Sequence, residues 1–215
     1  MHTVITPERV ELLPGTVVRM LGSWQDYQIL SKQLGDRTSP RTKYRSGEVL
    51  LMAPLPEHGR DASLLALIVT ALLDHLNRTY DSFTPITMSL PEVSAIEPDF
   101  CFYIENWRAV VGKKRINWGF DPPPDLVIEV DVTSYTSIDD YLPYKVPEVW
   151  LLKNKQLFVY RLQGENYVIT QSSYFVNVSE IVQQCLKIAN DQTTSEAIRW
   201  LRSFLRESYP PSLNS

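Results

Sequence analysis

The sequence predicts an α/β fold in which a mixed central sheet is flanked by helices. Three observations indicate this fold. Residues 59–76 (GRDASLLALIVTALLDHL) repeat apolar side chains at the spacing of a helix that packs on a sheet. Residues 125–132 (DLVIEVDV) alternate between two faces, as a β-strand does. Two segments beyond residue 178 have the spacing of amphipathic helices.

The N-terminal part predicts a strand, a helix and a second strand. Residues 16–21 (TVVRML) have strand character, and Ser23 can cap a helix over residues 24–34 that Gly35 ends in the left-handed conformation. Residues 43–54 (KYRSGEVLLMAP) are predicted to form one strand that ends at a proline. The long helix of residues 59–76 follows this strand.

The remaining sheet is predicted from short alternating segments. Residues 86–90 and 99–104 each predict a strand, and residues 105–124 predict an irregular connection. After the strand of residues 125–132, residues 148–162 predict a hairpin that turns near Asn154, with residues 165–171 as its neighbour. Ser179 is expected to cap the next helix, and Thr194 or Ser195 the last one.

Composition is consistent with one globular domain. The chain has 215 residues, 44% of them hydrophobic, and a formal net charge of −4, so we expect a single domain with its core at about residues 16–178 and its last helices at about 179–208. The longest apolar run has about ten residues, too few for the roughly 20 of a membrane helix. Because no secretory signal is visible, we expect a cytoplasmic protein. A pI near 5.4 argues against nucleic-acid binding by bulk charge alone.

Four acidic residues lie in predicted strands, where burying an ionised carboxylate costs free energy unless the group is paired or bound to a metal. Glu129 and Asp131 share one face of a strand, Asp99 begins another strand, and Glu48 lies in a third. If these strands are neighbours, the carboxylates form an oxygen-rich site suited to Mg²⁺ or Mn²⁺. The alternative is that the polar face of residues 125–132 simply faces solvent, which antiparallel strands permit. Motifs of serine hydrolases, nucleotide-binding loops and zinc sites are missing from the sequence.

Five segments together resemble the bacterial restriction-endonuclease-like family of the PD-(D/E)XK nuclease superfamily. They are KYRSGEVLLMAPLPEHG, AIEPDFCFYI, GKKRINW, DPPPDLVIEVDVTS and VPEVWLL, and they occur in the family's order. The resemblance runs from about Trp24 to Val178. It implies a restriction-endonuclease-like mixed sheet with flanking helices, a divalent metal held by acidic residues, and hydrolysis of DNA phosphodiester bonds by water.

The resemblance assigns roles to four residues of this chain. It implies that Asp99 in EPDF and Glu129 in VIEV are metal ligands. It implies that Glu48 in SGEVLLM is the acid of the first core strand, which positions water or metal. His58 in PEHG matches a family feature at the entry to the long helix, where it either contacts a phosphate or satisfies nearby carbonyl groups.

The sequence departs from the superfamily at one important position. The superfamily has a lysine two residues after the second acid, whereas this chain has Asp131. Members of the family often supply a basic residue from the following helix, but Asp139 and Asp140 stand there in this chain. The role of the lysine therefore passes to Lys145, passes to Lys113 or Lys114, or is absent. Loss of a charge that stabilises a transition state costs orders of magnitude in rate.

Three functional hypotheses follow. The first is a Mg²⁺- or Mn²⁺-dependent DNA endonuclease, expected to form a homodimer, with Asp99 and Glu129 as ligands, Glu48 and Asp131 as supporting acids and Lys145 as the replacement lysine. The second is a catalytically impaired nuclease fold that binds nucleic acid or a protein partner. The third is a protein-interaction module that uses exposed aromatic residues at Trp107, Trp118 and Tyr135.

Overall fold

The computed structural model describes residues 12–35, 39–131 and 137–209. These residues form four α-helices, eleven β-strands and two short 3₁₀ helices. The helices are α1 (Trp24–Leu34), α2 (Pro56–His75), α3 (Val178–Asp191) and α4 (Thr194–Ser208). The strands are β1 (Val17–Leu21), β2 (Arg41–Arg45), β3 (Glu48–Met52), β4 (Asp81–Phe83), β5 (Met88–Leu90), β6 (Ser94–Ile96), β7 (Phe100–Tyr103), β8 (Leu126–Asp131), β9 (Glu148–Lys153), β10 (Gln156–Gln163) and β11 (Asn166–Ile169). The 3₁₀ helices span Trp107–Ala109 and Ile138–Tyr144.

The strands form two sheets. The first sheet has the order β1-β3-β2-β6-β5 and is antiparallel throughout. The second has the order β11-β10-β9-β8-β7-β4 and is mixed, because β8 and β9 are parallel while its other pairs are antiparallel. The predicted mixed α/β fold is confirmed, but the strands predicted for one sheet are divided between two.

Three apolar cores hold these layers together. The largest packs α2, α3 and α4 against one face of the mixed sheet, where β8 contributes Leu126, Ile128 and Val130. The opposite face of the mixed sheet, with Val127 of β8, packs against the 3₁₀ helix Ile138–Tyr144 and against β5 and β6. A third core places α1 on the antiparallel sheet. The mixed sheet is therefore covered on both faces, so polar side chains on β8 are buried.

Residues 43–54 form a hairpin, where the sequence predicts one strand. The chain reverses between β2 and β3 at Ser46 and Gly47, which both have positive φ, at 49° and 82°. A tight hairpin turn requires such angles, and glycine adopts them without steric cost. The composition changes at the turn, from the basic β2 (RTKYR) to the apolar β3 (EVLLM), and the Ser-Gly pair is the signal that marks the turn.

Helix ends differ from the prediction by up to three residues, since α2 begins at Pro56, three residues before the predicted start. Helix α3 begins at Val178 after Asn177, so Ser179 is not its cap. Helix α4 is capped by Thr193, whose hydroxyl accepts the Glu196 N–H, and not by Thr194 or Ser195. Gly35 ends α1 with φ 59° and ψ −142°, outside the left-handed helical region that the sequence predicts. The cap at Ser23 is confirmed, as a reciprocal capping box with Asp26.

The described helices are too short or too polar to cross a lipid bilayer. The division of residues 1–215 into one domain stays a prediction.

Replacing Ile68 in the middle of α2 by alanine should lower the free energy of unfolding by about 2–5 kcal/mol, because it leaves a cavity in the largest core. Ile68 is fully buried there, whereas the adjacent Leu67 is 39% exposed. Leu67→Ala is therefore the matched control and should cost about 0.5 kcal/mol or less. Urea denaturation measures both values, and equal losses would contradict the packing of α2 described above.

Candidate active site between the two sheets

A buried carboxylate, that of Asp99, joins three elements of the fold. Asp99 precedes β7 and is 2% exposed. Its Oδ1 accepts hydrogen bonds from Arg41 Nη1 of β2 at 2.5 Å and from His58 Nε2 of α2 at 2.7 Å. Its Oδ2 accepts the backbone N–H of Val130 in β8 at 2.9 Å. Both oxygens therefore have defined partners, and the orientation of the carboxylate is fixed.

The charges of these neighbours keep Asp99 ionised. Burial acts to raise the pKa of Asp99, but the hydrogen bonds and charges of His58 and Arg41 outweigh burial and hold the pKa below its usual value. Burial also acts to lower the pKa of His58, and its interaction with Asp99 outweighs that effect and raises the pKa. The raised pKa of His58 and the lowered pKa of Asp99 both favour an ion pair, with the imidazolium as the donor.

Glu129 is the second buried acid of the site. It lies in β8, which pairs directly with β7, and it points to the face opposite Ile128 and Val130. Burial, followed by the negative charge of Asp99, raises the pKa of Glu129 to about 7. The buried hydroxyl of Tyr141 is also near enough to influence the carboxyl group, although it makes no hydrogen bond of standard geometry. Asp99 and Glu129 thus act as one electrostatic pair.

A small cavity lies beside this pair, where the two sheets meet. Its volume is about 60 Å³. Four of the charged or titratable residues that line it are Arg41 and Lys43 of β2, His58 of α2 and Glu129 of β8. The other lining residues include Leu50 and Met52 of β3, Ile96 of β6 and Glu97. We call this space the intersheet cavity.

Strand β2 brings three cations to the face that looks towards the mixed sheet. Arg41, Lys43 and Arg45 alternate along the strand and therefore lie on one face. Arg41 binds Asp99, as described above. Lys43 and Arg45 both bind the carboxylate of Asp140, which belongs to the 3₁₀ helix Ile138–Tyr144 and is 2% exposed. We call these three residues the basic row.

Of the acids predicted from the sequence, the structure brings together Asp99 and Glu129. Asp131 is on the same strand as Glu129 but lines a separate pocket, of about 200 Å³, with Glu57 and Asp61 of α2. Its Oδ2 is 3.2 Å from Lys153 Nζ of β9, the residue that is its register partner across β8 and β9. A lysine therefore stands beside position 131 in space, on the neighbouring strand.

Glu48 and Lys145 lie away from the intersheet cavity. Glu48 begins β3 in the other sheet, where its Oε2 is 2.5 Å from Arg19 Nη2. Leu50 and Met52 of the same strand line the cavity, whereas Glu48, at the start of β3, is not among the lining residues. Lys145 ends the 3₁₀ helix with an exposed side chain and a left-handed backbone. The functional roles of both residues, and of Asp131, stay predictions.

Several other predicted features have local structural roles. Lys113 is 2.5 Å from Asp121, and Lys114 is exposed. Trp118 donates its indole N–H to the Thr87 carbonyl and packs edge-on against Tyr144, whereas Trp107 contacts the guanidinium of Arg108. Tyr135 lies outside the described residues.

Sequence patterns did not identify the cations of the site. His58 hydrogen-bonds the carboxylate of Asp99, a partner that the sequence did not predict. Arg41 and Lys43 were not predicted as functional, although the spacing of the basic residues in RTKYR is the signal of a charged strand face. What the sequence could not supply is the knowledge that this face is buried against acids from the other sheet.

The acid pair has the donor chemistry of a magnesium or manganese site. Carboxylate oxygens are the hard ligands that these ions prefer, and Mg²⁺ is often held by one or two carboxylates with water and substrate phosphate oxygens as further ligands. Across residues 12–35, 39–131 and 137–209, no three His, Cys, Asp or Glu side chains are grouped as a complete metal site. The residues therefore fit an ion held by Asp99 and Glu129, completed by water and substrate.

Comparisons with known proteins identify the family of the chain and a shared fold. Residues 24–189 match a family model described as "Uma2: Putative restriction endonuclease". A crystal structure from Anabaena variabilis ATCC 29413, described as that of a putative nuclease, superposes with a TM-score of 0.52. The match covers 83% of this chain and 98% of that chain at 17% identity, and at this identity it shows a shared fold. The search of curated proteins found no match.

Replacing Glu129 by glutamine should make the stability of the metal-free protein less dependent on pH. The folded pKa of about 7 is above the ordinary 4.5, so the folded state keeps a proton that the unfolded state releases between these values. The contribution of Glu129 to stability therefore falls as the pH rises through this window, by up to about 3 kcal/mol. Glutamine does not titrate and removes this fall.

Urea denaturation in EDTA at about pH 5 and about pH 8 measures the effect. Glu165→Gln makes the same chemical change at an exposed acid in the β10–β11 turn and should leave the pH dependence as in the parent protein. An identical pH dependence in Glu129→Gln and the parent would contradict the raised pKa.

Proposed function

Because the chain belongs to the Uma2 family, we propose that it is an endonuclease that hydrolyses DNA phosphodiester bonds with Mg²⁺ or Mn²⁺ held by Asp99 and Glu129. One observation carries the proposal. Two buried carboxylates from adjacent strands lie beside a cavity lined by cations. An acid pair attracts a metal ion, whereas cations attract the phosphate group, and a phosphodiesterase needs both.

The side chains around Asp99 prepare it to act as a ligand. Arg41, His58 and the Val130 N–H fix its orientation, and because Oδ1 already accepts two hydrogen bonds, Oδ2, which accepts one, is the oxygen left to bind an ion. The carboxyl group of Glu129 is partly protonated near neutral pH in the metal-free protein and ionises when a positive charge comes next to it. A divalent ion bound there lowers the pKa of a water molecule and neutralises charge on the phosphoryl group.

The basic row supports an anionic substrate. The whole chain has more acidic than basic side chains, 25 against 21. Positive charge for a nucleic acid must therefore be local, and three cations on one face of β2 provide it. A homodimer that cuts both strands of a duplex extends the proposal, and the molecular mass in solution tests that extension.

Asp99→Asn and Glu129→Gln should each lower metal-dependent DNA cleavage by at least about 100-fold, because each removes a negatively charged ligand from the acid pair. Supercoiled plasmid and labelled oligonucleotides, incubated with Mg²⁺, Mn²⁺ or EDTA, measure the cleavage rate. Asp139→Asn and Glu165→Gln are matched controls, since both acids are exposed and lie outside the intersheet cavity. These two variants should cleave as the parent protein does.

Cleavage that persists equally in the parent, Asp99→Asn and Glu129→Gln proteins would contradict the proposed site. Such activity would come from a contaminating nuclease or from residues elsewhere. Circular dichroism of each variant separates loss of cleavage from loss of the fold, because Asp99 connects three elements of the structure.

A second candidate function is recognition without cleavage. It is favoured by Asp131, which stands where the superfamily has a lysine and which pairs with Lys153. In this case the protein binds DNA or a protein partner but leaves every phosphodiester substrate intact. Salt-dependent DNA binding without turnover would support this candidate, and turnover that requires the Asp99 side chain would exclude it.

A further inference from the structure

We propose that Lys43 of β2 is the catalytic cation of this site and contacts the scissile phosphate. The inference rests on the proposed nuclease function and names a residue for it. A phosphate group can approach two carboxylates only where cations offset their negative charge. The candidate is therefore a cation near the acid pair that remains available for a substrate.

Three cationic side chains line the intersheet cavity within the described part of the chain: Arg41, Lys43 and His58. Arg41 and His58 are both hydrogen-bonded to Asp99 Oδ1. Their charges therefore compensate that carboxylate and orient it. Lys43 binds neither member of the acid pair in this way, yet its charge acts on Glu129 across the cavity. Of these three cations, Lys43 is the one whose charge is not committed to Asp99.

The partner of Lys43 holds it in place without cancelling the local positive charge. Asp140 binds both Lys43 and Arg45, so two cations share a single carboxylate and these three groups together carry a net positive charge. Asp140 is rigidly placed, because its carboxylate also accepts the Ser137 N–H in a capping box. The side chain of Lys43 is 20% exposed and lines the intersheet cavity.

Other lysines of the chain are less well placed for this role. Lys153 pairs with Asp131 and lies outside the residues that line the intersheet cavity. Lys113 pairs with Asp121 in the exposed segment that follows β7. Lys145 is exposed at the end of the 3₁₀ helix. The acid at position 131 is thus offset by a cation from β9, whereas the acid pair of the site faces a cation from β2.

Lys43→Met should lower kcat for cleavage by about 100- to 1,000-fold and also raise KM, as expected for loss of a group that contacts the phosphate in the bound state and stabilises the transition state. Lys43→Arg restores the charge and should recover at least about tenfold of that loss. Lys153→Met is the matched control, because Lys153 is also a strand lysine paired with a buried aspartate. Its kcat should remain within about threefold of the parent value.

Binding to a DNA duplex in EDTA gives a second measurement that does not need cleavage. Loss of one phosphate contact should reduce the slope of log K against log salt concentration by about 1 in Lys43→Met and leave it unchanged in Lys153→Met. Thermal unfolding of all three variants identifies any loss of binding that comes from an unfolded chain. If Lys43→Met does not fold, Lys43→Arg and Asp140→Asn, which keep a cation at position 43, should retain the salt slope of the parent.

The outcomes separate this inference from the proposed function. If the parent protein and folded Lys43→Met cleave DNA at the same rate, the role of Lys43 is overturned and the proposed nuclease function stands. A parent that binds DNA without cutting it, with the reduced slope in Lys43→Met, supports the phosphate contact and overturns the nuclease. If the parent protein neither cuts nor binds DNA, both the nuclease function and the role of Lys43 are overturned. Both are also overturned if the parent binds DNA without cutting it and Lys43→Met has the same salt slope as the parent.

Discussion

The site depends on the hydrogen bonds and ion pairs of the buried Asp99 carboxylate. An ionised group that is 2% exposed is stable only when its charge and both oxygens are satisfied. Arg41 reaches it from the antiparallel sheet, His58 from α2 and the Val130 N–H from the mixed sheet. These contacts fix how the two sheets meet, and they place Glu129 one residue away from the backbone group that binds Asp99.

Charge complementarity extends this contact along β2. Arg41 faces Asp99, whereas Lys43 and Arg45 face Asp140, so the three cations of the basic row all meet acids carried by segments that pack on the mixed sheet. The intersheet cavity therefore contains charged side chains of both signs within a largely apolar lining, and apolar cores lie on either side of it. A cavity that combines both signs of charge with apolar walls is suited to a metal ion and an anionic substrate together.

Local sequence patterns predicted the elements better than their arrangement. The helical spacing of α2 and the alternation of β8 are properties of contiguous residues, and the structure confirms both. Glu48 shows the limit: the sequence predicts one strand over residues 43–54, whereas the structure has a hairpin there, and strand pairing, a long-range property, brings Glu48 beside Arg19. Asp99 and Glu129 were predicted as site residues because acids are costly inside strands and because both match motif positions of the family that the sequence resembles. Lys43 and Arg41 were missed because cations on a strand are ordinary when the strand is exposed.

Binding of Mn²⁺, followed by the electron paramagnetic resonance signal of the free ion, tests the central claim most directly, because it examines the acid pair without requiring a substrate. The account predicts that the parent protein and Asp139→Asn bind the ion equally, and that Asp99→Asn and Glu129→Gln each lose this binding while remaining folded. Equal Mn²⁺ binding by the parent and by both acid-pair variants would contradict the assignment of Asp99 and Glu129 as the metal ligands.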